Sequence, residues 1–548
     1  MAETKREIER KYDVGADATL PDLTGVAGVA DVVDRGVVEL DAVYWDTADQ
    51  RLAAGSVTLR RRTGGADEGW HLKLPVSLAD GVRDEIHAPL SDTVPPDLAG
   101  LVRSRVRGAD LVPVVRLLST RTLSHLVDAD GTLLAEVAVD RVLAERLTAD
   151  TGTDTGTSTG TGTAEWTEAE VELADGADPA LLDKVEKKLR KAGARRSASP
   201  SKLARALAET APPDGDTGRA RTETAVGGGK KAAKKAGKKE AVAEAVREAA
   251  AEGSGSAGDH VLGYLRAQCD AIVSLDPAVR RDLPDAVHQM RVATRRLRSA
   301  FKSYRKILDR TVTDPVGDEL KWLAGELGVA RDQEVLAARL TDRVDALPAT
   351  LLLGPVRGRL RVWDVARRTG ARGRTVAVLE SKRYLALLET LDALLAAPPL
   401  RPAAAKKPAK ALPKAARKDY ARLAARIDHA LALPPGHERD LALHAARKAA
   451  KRARYAGESA VPALGKPARR FAERMKAVQG VLGDHQDSVV AREELRALAI
   501  QAHMAGESAF TWGLLYGQEE AAGADRQREL PPVWAEASRR KVRAALGE

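Results

Sequence analysis

Near the start of the chain, residues 7–11 read Glu7-Ile8-Glu9-Arg10-Lys11, and a related stretch later reads Glu168-Ala169-Glu170-Val171-Glu172-Leu173. Side chains alternate across an extended strand, so Glu7, Glu9 and Lys11 share one face of theirs, and the three glutamates share one face of the other. Charges on a packed apolar face are costly unless each finds a partner or a ligand. An ordinary sheet with a charged outer face accounts for any single strand of this kind. The pattern recurs, however, in Ser56-Val57-Thr58-Leu59-Arg60-Arg61-Arg62, in Trp70-His71-Leu72-Lys73-Leu74 and around Arg83 and Glu85, while Ile8, Val57, Leu59, Leu72, Leu74 and Val171 at the alternate positions are apolar. Repetition over five strands predicts an antiparallel sheet closed around a polar, ligand-filled interior, its apolar face packed outward under helices. Asp128-Ala129-Asp130-Gly131 predicts a hairpin turn. Asp178 to Leu189 predicts a helix with Pro179 in its first turn.

Working outward, this strand-rich pattern fills residues 1–210, interrupted by a Thr/Gly tract at 150–163 that predicts a loop within the domain. Residues 211–257 form a linker, in which Gly227-Gly228-Gly229 precedes Lys230-Lys231-Ala232-Ala233-Lys234-Lys235. Residues 258–548 follow a period near 3.6 in Ala, Leu and Arg, broken at Ala397-Pro398-Pro399 and Leu433-Pro434-Pro435-Gly436, and predict an all-α bundle. The whole is a multidomain α+β chain. Its net charge of +10 hides an asymmetry: residues 1–210 hold 27 Lys/Arg against 36 Asp/Glu, whereas residues 251–548 hold 52 against 36. An acidic module suits metal ions and a basic one suits a polyanion.

Composition excludes several classes. Aromatic residues make up 3% of the 548, too few for the stacking platforms of single-strand nucleic-acid binders. Cys269 is the single cysteine, which rules out an internal disulfide or a cysteine zinc site. There is no apolar run of about 18 residues, and the first residues are charged rather than signal-like. Cytoplasmic location is the expectation. No P-loop, dinucleotide fingerprint or His-Glu-x-x-His motif occurs.

The helical half repeats itself. His288-Gln289-Met290-Arg291-Val292-Ala293-Thr294-Arg295-Arg296-Leu297-Arg298 aligns with His444-Ala445-Ala446-Arg447-Lys448-Ala449-Ala450-Lys451-Arg452-Ala453-Arg454 at an offset of 156. Leu327-Gly328 with Asp332 aligns with Leu482-Gly483 with Asp487 at 155. Two matches at nearly one offset indicate a duplicated half. On each helix the His, two Arg/Lys and the last Arg share a face, where like charges cost tenths of a kcal/mol per pair. A row kept twice calls for anionic partners, either Asp332 and Asp487 or a bound anion. A solvated basic face is the plainer reading for one such helix. His485 reads as structural and Cys269 as a small core residue.

Residues 258–540, with both of these segments, resemble the CHAD domain, the conserved histidine α-helical domain, whose mark is a His-x-x-Arg helix in each of two halves. The resemblance implies two similar helical bundles around a basic surface that binds inorganic polyphosphate. It carries that role to His288, Arg291, Arg295, Arg296 and Arg298, and to His444, Arg447, Lys451, Arg452 and Arg454. The chemistry agrees, since Arg grips phosphate through two donors and Lys acts as a point charge.

Residues 3–207 resemble the CYTH family of triphosphate tunnel metalloenzymes. The resemblance rests on the Glu-x-Glu-x-Lys at residues 7–11 together with Tyr44-Trp45-Asp46-Thr47, Leu59-Arg60-Arg61-Arg62, Trp70-His71-Leu72-Lys73, Val139-Asp140-Arg141 and Glu170-Val171-Glu172-Leu173. It implies an eight-stranded antiparallel tunnel that cleaves or binds triphosphates with Mg²⁺ or Mn²⁺. It further implies metal binding by Glu7, Glu9, Asp140, Glu170 and Glu172. Lys11, Arg60, Arg62, Lys73, Arg83, Arg121 and Lys202 would grip the triphosphate, and Glu7, Glu9, Lys11, Lys73, Glu170 and Glu172 would form the catalytic set. Glu168 and Glu85 are further candidates. The expected activity is an inorganic triphosphatase, a phosphoanhydride hydrolase tied to polyphosphate, with granules as a place of association. A non-catalytic polyphosphate-binding scaffold, an adenylate cyclase and a nucleic-acid binder are the alternatives. No membrane partner is expected.

Overall fold

The computed structural model describes residues 3–77, 81–147, 162–211 and 255–544. All but the last two residues of the Thr/Gly tract, and the linker from 212 to 254, lie outside the described residues. The chain forms two compact units, Met1–Gly229 and Lys230–Glu548.

In the first unit, eight strands build the barrel, β1 (Glu3–Val14), β2 (Asp31–Asp46), β3 (Thr58–Thr63), β4 (Gly69–Ser77), β5 (Val82–Ala88), β6 (Val112–Val127), β7 (Leu133–Arg146) and β8 (Thr163–Leu173), and a two-residue strand, Arg195–Arg196, pairs on β1. The eight pair antiparallel in the order β5-β4-β3-β2-β6-β7-β8-β1, and β1 pairs back on β5, so the sheet closes into a barrel. The turn between β6 and β7 is the expected one: Gly131 takes φ 77, and Asp128 Oδ1 accepts from the amides of Asp130 and Thr132. The apolar parity faces outward. Val57, Leu59, Leu72 and Leu74 are covered by Leu52 of α1 (Arg51–Ala54) and by Leu98, Val102 and Val106 of α2 (Pro96–Val106). Tyr12, Ala169 and Val171 are covered by Leu181, Leu182, Val185 and Leu189 of α3 (Ala180–Lys191), whose first residue follows Pro179.

A short helix not foreseen from the sequence, α4 (Lys202–Glu209), shapes the interior. Ser201 Oγ caps it by accepting from the Ala204 amide. Its Leu203 and Ala206 cluster with Ala42, Tyr44, Leu117, Val142, Ala144 and Trp166, which share the inward parity of β2, β6, β7 and β8. The guanidinium of Arg205 lies 4.8 Å from the Trp166 ring centroid and 3.0 Å from Asp13. The tunnel is thereby filled with apolar side chains at one end. Leu203 is fully buried, so Leu203→Ala is expected to cost about 3 kcal/mol. Denaturant unfolding should show the loss in the first unit's transition alone.

The second unit is helical: α5 (Ala257–Arg280), α6 (Ala286–Ser303), α7 (Arg310–Asp345), α8 (Val356–Glu380), α9 (Lys382–Ala396), α10 (Pro408–Ala432), α11 (His437–Leu464), α12 (Lys466–Met504), α13 (Phe510–Ala537) and α14 (Arg540–Ala544). Helices α9 and α10 stop just before the two Pro-Pro breaks. One core draws chiefly on α5, α6, α7 and α9, and contains buried Cys269. A second draws on α10 to α13. The duplication is visible in three dimensions. Arg291 on α6 donates to Asp332 at 3.0 Å and lies against Gly328 of α7. Arg447 on α11 meets Asp487 at 3.4 Å and lies against Gly483 of α12. In each copy the glycine leaves room for a guanidinium to cross the neighbouring helix. Buried His485 lies 3.1 Å from Asp440 and 3.0 Å from the Gln527 side chain.

Candidate functional sites: a charged tunnel and a basic groove

Strand register assembles the tunnel. Pairing of β1 with β8 sets Glu9 opposite Glu172 and Lys11 opposite Glu170. Pairing of β4 with β5 sets Lys73 opposite Glu85, and pairing of β2 with β3 sets Tyr44 opposite Arg60 and Ala42 opposite Arg62. The resulting cavity measures about 700 Å³. Carboxylates gather on one wall: Glu7 and Glu9 are 3% and 6% exposed, and Glu170 and Glu172 stand beside them. Guanidiniums of Arg60, Arg62 and Arg121 gather on another.

One member of each wall lacks full compensation. Burial pushes the Glu7 carboxyl up to about 8, against the pull of Lys73 at 2.6 Å, and a hydrogen bond shared with Glu85 adds to the rise. Burial and the neighbouring Arg60 and Arg121 guanidiniums bring Arg62 down to about 9, although Asp67 is bonded to it. Glu85 is held well below the usual carboxylate range despite its burial, chiefly by Lys73 and then His71. A cation beside Glu7 and an anion beside Arg62 would each relieve these costs.

Deeper lies a second layer. Among the described residues, one group of three carboxylates could hold an ion: Asp140, Glu168 and Glu170, whose oxygens lie within 4.8 Å of one another. The Lys202 ammonium is 3.0, 2.8 and 2.6 Å from them in that order. Arg121 grips Asp140 through two bonds of 2.8 Å and reaches Glu170 at 3.1 Å, and Lys11 bonds Glu170 as well.

In the helical unit a groove of about 970 Å³ opens between the two repeat helices. Its lining carries thirteen lysines and arginines, the two histidines His288 and His444, and the two aspartates Asp332 and Asp487. Crowding shows in the chemistry. Burial, then Arg295 and Arg447, brings the Lys451 ammonium down to about 7. Arg298 and Lys302 are depressed for the same kinds of reason, and both histidines are held below their ordinary value, chiefly by burial.

Residues 5–207 match the family model described as the CYTH domain, and residues 263–496 match the model described as the CHAD domain. A Mycobacterium tuberculosis protein described as uncharacterized protein Rv2226 is 39% identical over 535 residues, which is 95% of this chain and 94% of that one. This chain is a CYTH–CHAD protein. CYTH tunnel domains bind triphosphates, and CHAD domains are associated with polyphosphate. Among solved structures, PptA from Streptomyces chartreusis is 22% identical, covering 51% of this chain and 99% of its own, with a TM-score of 0.44. The Hippeastrum protein HpAC1, described as revealing a dominant triphosphatase activity, is 17% identical over 38% of this chain and 98% of its own, with a TM-score of 0.22. No helix among the described residues is long and apolar enough to cross a membrane.

The CYTH tunnel gathers most of the residues singled out from the sequence. Glu7, Glu9, Glu170 and Glu172 line it, as do Lys11, Arg60, Arg62, Lys73, Arg83, Arg121 and Lys202. Asp140 is fully buried behind Arg121 and Lys202, grouped with Glu168 and Glu170 rather than lining the cavity. Arg83 donates to the Pro200 carbonyl at 2.6 Å, which ties it to the segment leading into α4. In the CHAD groove, His288, Arg291, Arg295, Arg298, His444, Arg447, Lys451, Arg452 and Arg454 all contribute. Arg296 does not line the groove, because its guanidinium turns to Glu458 at 3.1 Å, beside the Tyr455 ring. Arg452 divides its contacts between the groove and the buried Asp419 at 2.8 Å. Sequence reasoning missed Lys302, Arg331, Arg339, Arg422, Arg426 and Lys448 in the lining. The i, i+4 spacing of Arg422 and Arg426 was the available signal, but only the topology brings α10 to the groove.

Proposed function

We propose that the tunnel hydrolyses inorganic triphosphate, or a closely related triphosphate, with a divalent cation, and that the helical groove binds inorganic polyphosphate. The observation that carries this reading is one cavity lined by a group of carboxylates and a group of guanidiniums, in which Glu7 and Arg62 are each short of the opposite charge. Glu7, Glu9 and Glu172 offer oxygen donors facing the cavity, a set suited to Mg²⁺ or Mn²⁺. When bound, such an ion would neutralise phosphate oxygens and polarise the phosphorus under attack. Arg60, Arg62 and Arg121 would hold the phosphate chain, while Lys73 and Lys11 would turn from their carboxylates toward it. Water attack on the terminal phosphorus breaks one phosphoanhydride bond and releases phosphate and diphosphate. The apolar side chains packed around α4 make this a tunnel entered from its other end. There Val38, Leu40 and Leu123 line the wall, an apolar strip that favours, as a second reading, a triphosphate carrying an organic group.

The groove matches a linear polyanion without bases, since thirteen cations line it and Tyr455 is its one aromatic side chain. A polyphosphate store, such as a granule, is a natural place for it to hold the enzyme. Purified protein given inorganic triphosphate, ATP and long polyphosphate, each with Mg²⁺, Mn²⁺ or chelator, tests the activity. Metal-dependent release from triphosphate is expected. No release from any of them by folded protein would leave the scaffold reading. Competition between DNA and polyphosphate tests the groove, and polyphosphate should win.

The groove also makes a pH prediction. A bound polyanion favours the charged form of Lys451, whose free form loses its proton near pH 7. Binding then takes up a proton, so affinity should fall as pH rises through 7, by at most about tenfold per unit for one proton. Lys451→Arg, which stays charged, should flatten that part of the profile.

A further inference from the structure

The Lys202 ammonium sits where a cation would sit among Asp140, Glu168 and Glu170. Two of those three carboxylates, Asp140 and Glu168, do not face the open cavity. They are 0% and 3% exposed. Two uncompensated carboxylates at that depth would be very costly. The Glu168 Oε1 atom has no hydrogen-bond partner, although the ammonium lies 2.8 Å away, so what holds it there is charge. An ammonium carries three protons, and Lys202 meets three carboxylates at 3.0 Å or less. Its charge is therefore engaged by buried groups, in contrast with Lys73 and Lys5, whose partners Glu7 and Glu172 line the cavity.

Before substrate enters, Asp140, Glu168 and Glu170 bring three negative charges, met by Lys202, by Arg121 and by Lys11, which Glu9 shares. A divalent ion added to this layer would have to share its three carboxylates with the buried Lys202 ammonium that already meets each of them. We infer that Lys202 is a built-in cation that takes the place of a second metal ion, so that the tunnel accepts one divalent ion, on the Glu7/Glu9/Glu172 side, and Lys202 positions Glu170 rather than gripping phosphate. The expectation that Lys202 binds substrate is replaced by this role. The lysine also ties α4 to β7 and β8, so the element that fills one end of the tunnel also neutralises its floor.

The inference rests on the metal-binding reading of the tunnel, and the two can fail separately. Mn²⁺ titrated into the full-length protein, followed by calorimetry and by the loss of free-ion EPR signal, counts the ions. Glu7→Gln/Glu9→Gln identifies those held by the outer carboxylates. Wild type is expected to lose one Mn²⁺ in that double variant. Lys202→Ala should gain one Mn²⁺ that the double variant does not remove, and its melting temperature should rise with Mn²⁺ more than that of wild type. Lys202→Arg should gain none. A wild-type tunnel that holds two ions, or a folded Lys202→Ala that gains none, overturns the inference. If Lys202→Ala does not fold, the wild-type count alone decides. An unchanged count in Glu7→Gln/Glu9→Gln overturns instead the reading of the outer site.

Discussion

Replacing Glu7 and Glu9 together by glutamine is expected to lower metal-dependent phosphate release from triphosphate at least about a thousandfold. Loss of one preorganised electrostatic contact typically costs a factor of about 10²–10³, and here two ligands on one strand are lost together. The substitution keeps shape and removes charge, so the barrel should survive it. Burial pushes the Glu7 carboxyl up to about 8 in the metal-free tunnel, toward its protonated form. Glutamine resembles that form. Glu9 is the costlier change, because Lys11 at 3.3 Å and Arg83 at 3.9 Å lose a charged partner. Their other partners, Glu170 for Lys11 and the Pro200 carbonyl for Arg83, remain. The thermal transition should therefore shift by a few degrees while activity and Mn²⁺ binding disappear. A well-folded double variant retaining release within tenfold of wild type would remove both residues from the mechanism.

The tunnel was legible because strand periodicity converts directly into sidedness. Glu7, Glu9 and Lys11 had to share a face, and five strands carrying charge on one parity left a polar interior as the economical solution. Apolar residues such as Leu72 and Val171 on the other parity demanded cover, and α2 and α3 supply it. What the sequence concealed depends on depth and on chain crossings. Asp140 and Glu170 look alike as acidic strand residues, yet one is sealed under Arg121 and the other faces the cavity. Helix α4 is eight residues long and lies at the end of the first unit, too short for a periodic signal to announce that Leu203 would enter the barrel. In the helical unit the repeat exposed the His-x-x-Arg rows, because duplication is a property of sequence alone. Arg296 entered with the family motif and not with the row's spacing, and it lies one residue, about a third of a helical turn, off the face of Arg295. Arg422 and Arg426 belong to neither copy of the motif and reach the groove only through the packing of α10 against α11.

Reversing the charge of Arg295 and Lys451 together, to glutamate in both, should weaken polyphosphate binding by at least about a hundredfold at moderate salt, which is about 2.7 kcal/mol. The two residues occupy equivalent places in the repeat and approach each other in the groove, where Arg295 is the foremost charge depressing Lys451. A polyanion gains affinity by releasing condensed counterions, so removing two contact cations should also flatten the salt dependence, by about 0.7 per lost contact for a single-stranded chain. Stability should move the other way. With Arg291, Arg298, Arg447 and Lys448 also in the lining and two aspartates opposing them, the empty groove repels itself. Two glutamates would give those arginines partners, so the double variant is expected to melt at or above the wild-type temperature. That opposition separates a binding surface from a structural one. A cationic row kept for packing would lose stability on reversal, whereas a row kept for an absent polyanion gains stability as it loses its ligand. Undiminished polyphosphate binding, or a melting temperature that drops with it, would count against the groove as the binding site.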